Sequence, residues 1–385
     1  MINRVNPIEQ IKAFDDLYFS ELVVEKLLEK RLSITESVIH NITCLQQHWN
    51  NVEFELKFEI TERCNLNCKF CHQEFGKRKD HDKDFSLEFF KNIIDSAKKE
   101  KQIKYIRITG GEPLLHPDVK DFLQYASEAG FCTILNTNAT LLTAEKISSL
   151  APFVGIWKIS LPSFDANKTD LITGVADVWH RKVNALRLLK DNKCEVDLLV
   201  VLTRCNIPHI SDFLDIAKKY DATCSFLRQE SNATDQTPLT SKDIEDIVMQ
   251  LELNNTPLGL AVPFCACSEP ERLAAVADGR IGCGPYSSLV VSANGKVHSC
   301  YSRRKLCEVD GSILKTAMQI SADDFVALPE KCQKCRFGAI CLGGCRCNMA
   351  LINPPIGSID YLATLKNISN ITTLKETHNE QTRNR

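Results

Sequence analysis

The sequence predicts an α/β protein whose parallel sheet curls towards a barrel, followed by a small cysteine-rich domain. Three observations carry this reading. Strand-like and helix-like runs alternate six times between residue 53 and about residue 230. Several strand candidates set a polar face against an apolar one, whereas a parallel strand covered on both faces would be almost wholly apolar. The 18 cysteines are spread unevenly: three at 64–71, five isolated (Cys44, Cys132, Cys194, Cys205, Cys224) and ten between 265 and 347.

Residues 1–52 read as a helical N-terminal extension, with Ser20 as N-cap of an apolar-periodic run to Leu28. Strands are expected at 54–61, 104–110, 131–138, 156–162, 195–203 and 222–228. Amphipathic helices fit at 86–100, 117–129, 143–150, 179–191 and 209–220. In the first strand Leu56, Phe58 and Ile60 oppose Glu55, Lys57, Glu59 and Thr61. In the second, Ile106 and Ile108 oppose Arg107 and Thr109, and in the fourth, Trp157, Ile159 and Leu161 oppose Lys158 and Ser160. The expectation is that helices cover the apolar side, and that Glu59, Arg107, Lys158 and Ser160 face a lumen suited to a charged ligand.

The turn-rich stretch Asn232–Pro238 closes this unit, giving a core at 53–235 and a connector at 236–282 with one more helix at 241–253. Residues 283–365 form the cysteine-rich domain. There, Cys283-Gly284-Pro285 precedes two strand-like runs, 288–292 and 296–300, joined through Asn294-Gly295. Asn-Gly between such runs is a strong hairpin signal, and the hairpin returns Cys300 towards Cys283. The polar tail at 366–385 is expected to fray.

Net charge is only −2, which gives no argument for nucleic acid or for an acidic membrane surface as partner. The opening Met-Ile-Asn-Arg-Val-Asn-Pro lacks the apolar segment of a signal peptide, and apolar runs such as Leu198 to Leu202 are far too short to span a bilayer. The expectation is a cytoplasmic protein, where clustered cysteines read as metal ligands or catalytic groups and not as disulfides.

The run Cys64-Asn65-Leu66-Asn67-Cys68-Lys69-Phe70-Cys71 follows the first strand directly. Three close thiolates can hold three irons of a [4Fe–4S] cube and leave the fourth open; the alternative is a zinc knuckle completed by His72. The second strand runs into Thr109-Gly110-Gly111-Glu112-Pro113, where glycines permit close backbone approach and the carboxylate suits an ammonium group. Further on, Cys332, Cys335, Cys341 and Cys345 have the spacing C-x2-C-x5-C-x3-C, with Cys347 adjacent. By itself this spacing fits a zinc ribbon as well as an iron–sulfur site.

Taken together, Cys64, Cys68, Cys71 and Gly110-Gly111-Glu112-Pro113 resemble the radical S-adenosylmethionine (SAM) enzymes, over roughly residues 53–230. The resemblance implies a partial (β/α)6 barrel of TIM type. It also implies a [4Fe–4S] cluster on the three cysteines, SAM chelating the open iron, and a 5′-deoxyadenosyl radical that abstracts a substrate hydrogen. Gly110, Gly111 and Glu112 match the segment that holds the SAM amino group. Asn136-Thr137-Asn138 resembles the family's Thr-Asn-Gly segment, with Ala139 in place of glycine, and Ser160 matches a serine that contacts SAM. Thr173 stands where relatives carry an arginine for the SAM carboxylate, so Arg204 or Lys158 is expected to supply that cation.

The C-terminal cysteines resemble the SPASM domain, which carries auxiliary [4Fe–4S] clusters. By position, Cys283, Cys300 and Cys345 would hold a proximal cluster, and Cys332, Cys335 and Cys341 a distal one. Cys347 is the substitute for the family's late distal ligand; the remaining proximal ligand is Cys265, Cys267 or Cys307, or that site stays three-coordinate for substrate. The resemblance implies a maturase of ribosomally made peptides, with a precursor peptide as substrate and a flavodoxin or ferredoxin as reductant. The first expectation is an oxidative cross-link, cyclophane C–C or thioether. Epimerisation, with Cys205 or Cys307 as hydrogen donor, and formylglycine formation are the alternatives. A non-catalytic iron–sulfur carrier or metal-binding regulator is the competing class.

Overall fold

The computed structural model describes residues 18–71, 73, 84–228, 239–256, 264–277, 286–300, 306–309 and 311–344. Two helices come first, α1 (Tyr18–Glu29) and α2 (Glu36–Asn51). Six strands follow: β1 (Phe54–Glu59), β2 (Ile103–Thr109), β3 (Cys132–Thr137), β4 (Ile156–Ser160), β5 (Val196–Leu202) and β6 (Thr223–Arg228). Each pairs in parallel with the next, so the sheet keeps chain order. The connections hold α3 (Leu87–Ala97), α4 (Val119–Glu128), α5 (Ala144–Leu150), α6 (Ala166–Thr173), α7 (Val178–Asp191) and α8 (Ile210–Lys219), and α9 (Ser241–Leu253) follows β6.

The helices start where the sequence supplies caps. Ser86 accepts from the Phe89 amide at the head of α3, and Thr143 from the Lys146 amide at α5. Thr240 and Asp243 form a reciprocal capping box at α9. Of the barrel-unit helices, α6 is the one absent from the sequence reading. Its apolar periodicity is weak; its signals are local ones, Asp165 capping the Lys168 amide and Gly174 closing the helix in the left-handed region.

Strand alternation sorts as expected. Leu56, Phe58, Ile60, Ile106, Ile108, Trp157 and Ile159 are buried in one continuous core under the helices. Inside the sheet, Arg107 pairs with Glu55 at 2.6 Å, Lys57 with Glu55 at 3.6 Å and Lys158 with Asp197 at 2.5 Å. Burial opposes ionisation of Glu55, yet Arg107 and Lys57 together hold its carboxyl below the usual carboxylate range.

The sheet does not stop at β1. Strand β7 (Ser288–Val291) lies parallel against the other edge of β1, from Glu55 opposite Ser288 to Phe58 opposite Val291. It turns through Asn294-Gly295 into antiparallel β8 (Val297–His298), which pairs with β9 (Leu306–Cys307). The predicted hairpin therefore forms, and it extends the barrel sheet to nine strands. Cys300 follows β8 directly; Cys283 lies outside the described residues.

Four further helices complete the order among the described residues: α10 (Pro270–Ala277), α11 (Ile313–Val326), α12 (Glu330–Gln333) and α13 (Gly338–Cys341). Helix α11 is fixed to the barrel through its N-terminus, where Glu100 accepts from Ser312 Oγ, the Ile313 amide and the Leu314 amide at 2.7–2.9 Å. Helix α1 packs along α11, and Lys26 pairs with Asp323 at 2.7 Å. Trp49, fully buried, meets Phe19, Phe54 and Tyr286 with ring centroids 6.0–6.4 Å apart. The N-terminal helices thus bridge barrel and C-terminal segment.

One side chain of α2 does this with unusual economy. Asn41 donates to the carbonyls of Gln333 (2.8 Å) and Cys335 (2.9 Å) and accepts from the Ala339 amide (3.2 Å). Asn41→Ala strands three largely buried backbone groups, so it is expected to cost about 3 kcal/mol. Urea unfolding checks this; an unchanged midpoint would show that the contacts carry no stability.

Candidate active site

The three-cysteine loop leaves β1 and is clamped from two sides. On one side the Gly111 amide donates to Thr61 O (2.8 Å) and the Glu112 amide to Arg63 O (2.7 Å). The fit is so close that a Cβ on Gly110 would stand 2.4 Å from Thr61 O, and one on Gly111 2.2 Å from Arg63 O. The glycines thus let the second strand's end meet the cysteine loop's own backbone. Asp84 steadies the same point, accepting from Thr61 Oγ1 (2.6 Å) and pairing with Arg63 (2.5 Å). On the other side the end of α6 accepts from the loop, Thr173 O from the Asn67 amide and Ile172 O from the Lys69 amide, both at 2.9 Å.

A side-chain lattice joins this loop to the end of β3. Asn138 Nδ2 donates to Asn65 Oδ1 (2.9 Å), and Asn65 Nδ2 to Thr140 Oγ1 (2.8 Å). Glu112, fully buried, accepts from Thr137 Oγ1 (2.7 Å), the Asn138 amide (2.7 Å) and the Leu114 amide (3.1 Å). Of the roughly four acceptor positions of a carboxylate, three are thereby used, leaving about one for a ligand ammonium. Ala139 takes φ of 64°, the left-handed conformation that glycine adopts without strain.

Behind the loop stands a residue that sequence reasoning missed. Lys182 on α7 is 1% exposed, and its Nζ donates to Asn138 O (2.6 Å) and Ser160 O (2.7 Å). The fold sets it on the buried face of α7 with Val178, Ala185, Leu186 and Leu189, and shows that its charge has company. Burial lowers the Lys182 ammonium to about 8, against the pull of Cys68, Glu112 and Cys64. Burial likewise raises Glu112, opposed by its three hydrogen bonds and by Lys182. It pushes Cys64 up to about 11 and Cys68 up to about 12.

These groups surround a cavity of about 310 Å³ at the C-terminal ends of the strands. Cys64, Cys68 and Cys71 border it, as do Gly110, Gly111, Thr137, Asn138 and Ser160. Of the predicted lumen residues, Glu59, Lys158 and Ser160 reach it; Arg107 lies deeper, engaged with Glu55. Arg204 is not part of its wall: the guanidinium turns to α9 and pairs with Asp243 at 2.9 Å. The cations that do line the cavity are Lys158, Lys182 and Arg228. Asn136 also borders it, and its Oδ1 is buried with no hydrogen-bond partner, an acceptor left for a donor that a ligand would bring.

Among the described residues no three His, Cys, Asp or Glu side chains gather tightly enough to hold one metal ion. Cys64, Cys68 and Cys71 share the wall of one cavity, with Cys64 and Cys71 both bearing on Cys68, and three thiolates so placed suit three irons of a cube. His72 lies outside the described residues, and with it the zinc alternative. Cys205 is exposed and Cys307 is buried on β9, and neither lines the cavity. Cys332 on α12, Cys335 in the turn after it and Cys341 on α13 do not line the cavity, whereas Cys345 and Cys347 lie outside the described residues. No helix among the described residues is long and apolar enough to cross a membrane.

Residues 58–217 match the family described as the Radical SAM superfamily. The chain is 29% identical to a tungsten-containing aldehyde ferredoxin oxidoreductase cofactor-modifying protein of Pyrococcus furiosus, over 53% of this chain and 57% of that protein. It is 32% identical to mycofactocin maturase MftC of Mycobacterium tuberculosis, over 47% and 46%. The chain thus spans about half the length of these two relatives. With the PqqA peptide cyclase of Rhodopseudomonas palustris it shares 24% identity over 75% of this chain and 81% of that protein. The fold is that of Streptococcus suis SuiB solved with its precursor peptide SuiA, with a TM-score of 0.61, 18% identity, and 90% and 88% of the two chains covered.

The raised thiols set a pH dependence for protein prepared without metal. Cys64 and Cys68 keep their protons in the fold to about 11 and 12 but release them near 9.0 when unfolded, so the native state binds more protons above pH 9 and stability falls as pH rises. Lys182 acts oppositely between about 8 and 10.5, one proton against two. Urea midpoints of the metal-free chain should therefore drop between pH 9 and pH 11; a rise would contradict the buried-thiol geometry.

Proposed function

From the radical SAM domain that residues 58–217 form, we propose that this chain is a peptide maturase that installs an oxidative cross-link, cyclophane C–C or thioether, in a ribosomally made precursor peptide. The observation that carries the reading is the convergence of the clamped three-cysteine loop and the Gly-Gly-Glu turn on one cavity at the strand ends. The SAM-bound cluster supplies, when present, a radical able to abstract a hydrogen atom. Cys64, Cys68 and Cys71 would hold the cluster. Gly110, Gly111, Asn138 and Ser160 would hold SAM, with Asn136 Oδ1 offering a further acceptor.

The chain's own groups prepare this site. Lys182 places a positive charge beside Cys64, Cys68 and Glu112, where thiolates would otherwise face a carboxylate in a poorly solvated pocket. Of the two cations expected for the SAM carboxylate, Arg204 and Lys158, it is Lys158, held by Asp197, that lines the cavity wall, and Arg228 lines it too. The Glu112 lattice fixes Thr137 and Asn138 before any ligand arrives, which lowers the ordering cost of binding.

The peptide substrate is supported by the likeness to a peptide cyclase over most of its length and to a structure solved with a precursor peptide. A cross-link removes two electrons from its substrate. Auxiliary clusters on the C-terminal cysteines suit that demand, and a flavodoxin or ferredoxin suits the supply of the initiating electron. The test is anaerobic reconstitution with iron, sulfide, SAM and reductant. Release of 5′-deoxyadenosine is expected, falling to background in Cys68→Ala. A co-expressed precursor peptide should lose two hydrogen atoms per modification. An unchanged mass with an altered residue configuration would favour epimerisation, and absence of 5′-deoxyadenosine from loaded protein would refute the enzyme reading.

A further inference from the structure

The fold gathers thiols a second time, away from the barrel cavity. Cys332 lies on α12, Cys335 in the turn after it and Cys341 at the end of α13. Tight turns join them: the Cys335 amide donates to Cys332 O (3.3 Å), the Gly338 amide to Cys335 O (2.8 Å) and the Cys341 amide to Phe337 O (2.8 Å). Asn41 grips the same turns from α2. Spacing alone gives three ligands here, and an iron–sulfur cube bound wholly by protein takes four.

The structure brings a fourth thiol from upstream. The one-turn helix Phe264–Ala266 packs directly on α13, where the Phe264 amide donates to Cys341 Sγ at 3.4 Å. The Phe264 ring meets Phe337 with centroids 5.3 Å apart, and Arg336 pairs with Glu271 of α10. Cys267, the residue directly after the Phe264–Ala266 helix, is buried. Cys265 is therefore delivered to the thiol group, near enough that its charge and that of Cys332 both bear on Cys341. An amide donating to a cysteine sulfur is also the contact by which proteins orient and tune cluster ligands.

We propose that Cys265 is a protein ligand of the iron–sulfur cluster held by Cys332, Cys335 and Cys341, completing its set of four. This rests on the reading that the C-terminal cysteines bind iron–sulfur and not zinc. It takes Cys265 out of the three candidates for the hairpin cluster, Cys265, Cys267 and Cys307, and gives it the fourth place first assigned to Cys347. The connector between barrel and C-terminal segment is thereby tied to the cluster by a covalent bond to iron.

The experiment uses the full-length chain carrying Cys64→Ala, Cys68→Ala and Cys71→Ala, so that remaining iron reports the C-terminal sites. Iron and sulfide are counted after anaerobic reconstitution, and the oxidised protein is examined by electron paramagnetic resonance. Adding Cys265→Ala should remove one cluster's iron and sulfide or convert that cluster to a three-iron form with its own signal. Adding Cys347→Ala should leave both readouts unchanged. Cys265 is exposed, so its replacement leaves the core intact, and circular dichroism confirms folding. If Cys265→Ala keeps all its iron and shows no three-iron signal while Cys341→Ala loses a cluster, the assignment of Cys265 is wrong and the cluster reading stands. If the parent variant holds zinc or no iron, the cluster reading itself falls, and the assignment with it.

Discussion

A loop that presents three thiols to a ligand must be rigid without spending the thiols on its own fold. The backbone clamp on residues 61–69 meets that constraint, with Gly111 and Glu112 amides pairing on one side and Thr173 and Ile172 carbonyls on the other. Much else follows from it. Two glycines are needed because no side chain fits between the strand ends. Helix α6 exists as a short polar turn whose end reaches the loop. The left-handed Ala139, costing about 1–2 kcal/mol, sits where the β3 end bends to meet Asn65 and Lys182.

The second theme is charge kept out of water. Glu112 and Lys182 are both fully enclosed, and each is tolerable only because its hydrogen-bonding groups are engaged. Lys182 spends two of its three donors on backbone carbonyls of β3 and β4 ends. It is therefore a structural tie between adjacent strands as well as the positive charge nearest Cys68. A metal-free pocket holds Cys64 and Cys68 as thiols, so binding of metal must release protons, and the buried ammonium offsets the negative charge that appears.

The strands were legible because parallel barrel strands alternate faces, and alternation survives in a single sequence; all six fall within two residues of their expected bounds. The cysteine loop and Gly-Gly-Glu turn were legible because their spacing is local. What escaped is non-local. Nothing near position 182 distinguishes a lysine that reaches the β3 and β4 ends from a solvated helix residue. Arg204 looked available because it ends β5, but its guanidinium is drawn to Asp243, 39 residues on. Glu112 was read as offering a carboxylate to a ligand; its added bonds to Thr137 and Asn138 were not legible, because those partners come from the end of the next strand. The hairpin was expected from Asn294-Gly295, but its attachment to β1 depends on a sheet edge that no turn motif reports.

That attachment matters for how the chain is made. Strand β1 emerges early, yet its second neighbour, β7, is encoded roughly 230 residues later. At about 5–20 residues per second of synthesis, the outer edge of β1 waits for some tens of seconds. During that interval it is an open strand edge with Phe54, Leu56 and Phe58 on one face, and unpaired strand edges can recruit other chains. The same edge lies beside the loop that carries Cys64, Cys68 and Cys71. A nascent chain of this protein thus carries an unpaired strand edge beside its three-cysteine loop, and that edge is covered only when the C-terminal segment arrives. Truncation beyond β6 would remove more than the auxiliary cysteines: it would leave that edge permanently unpaired.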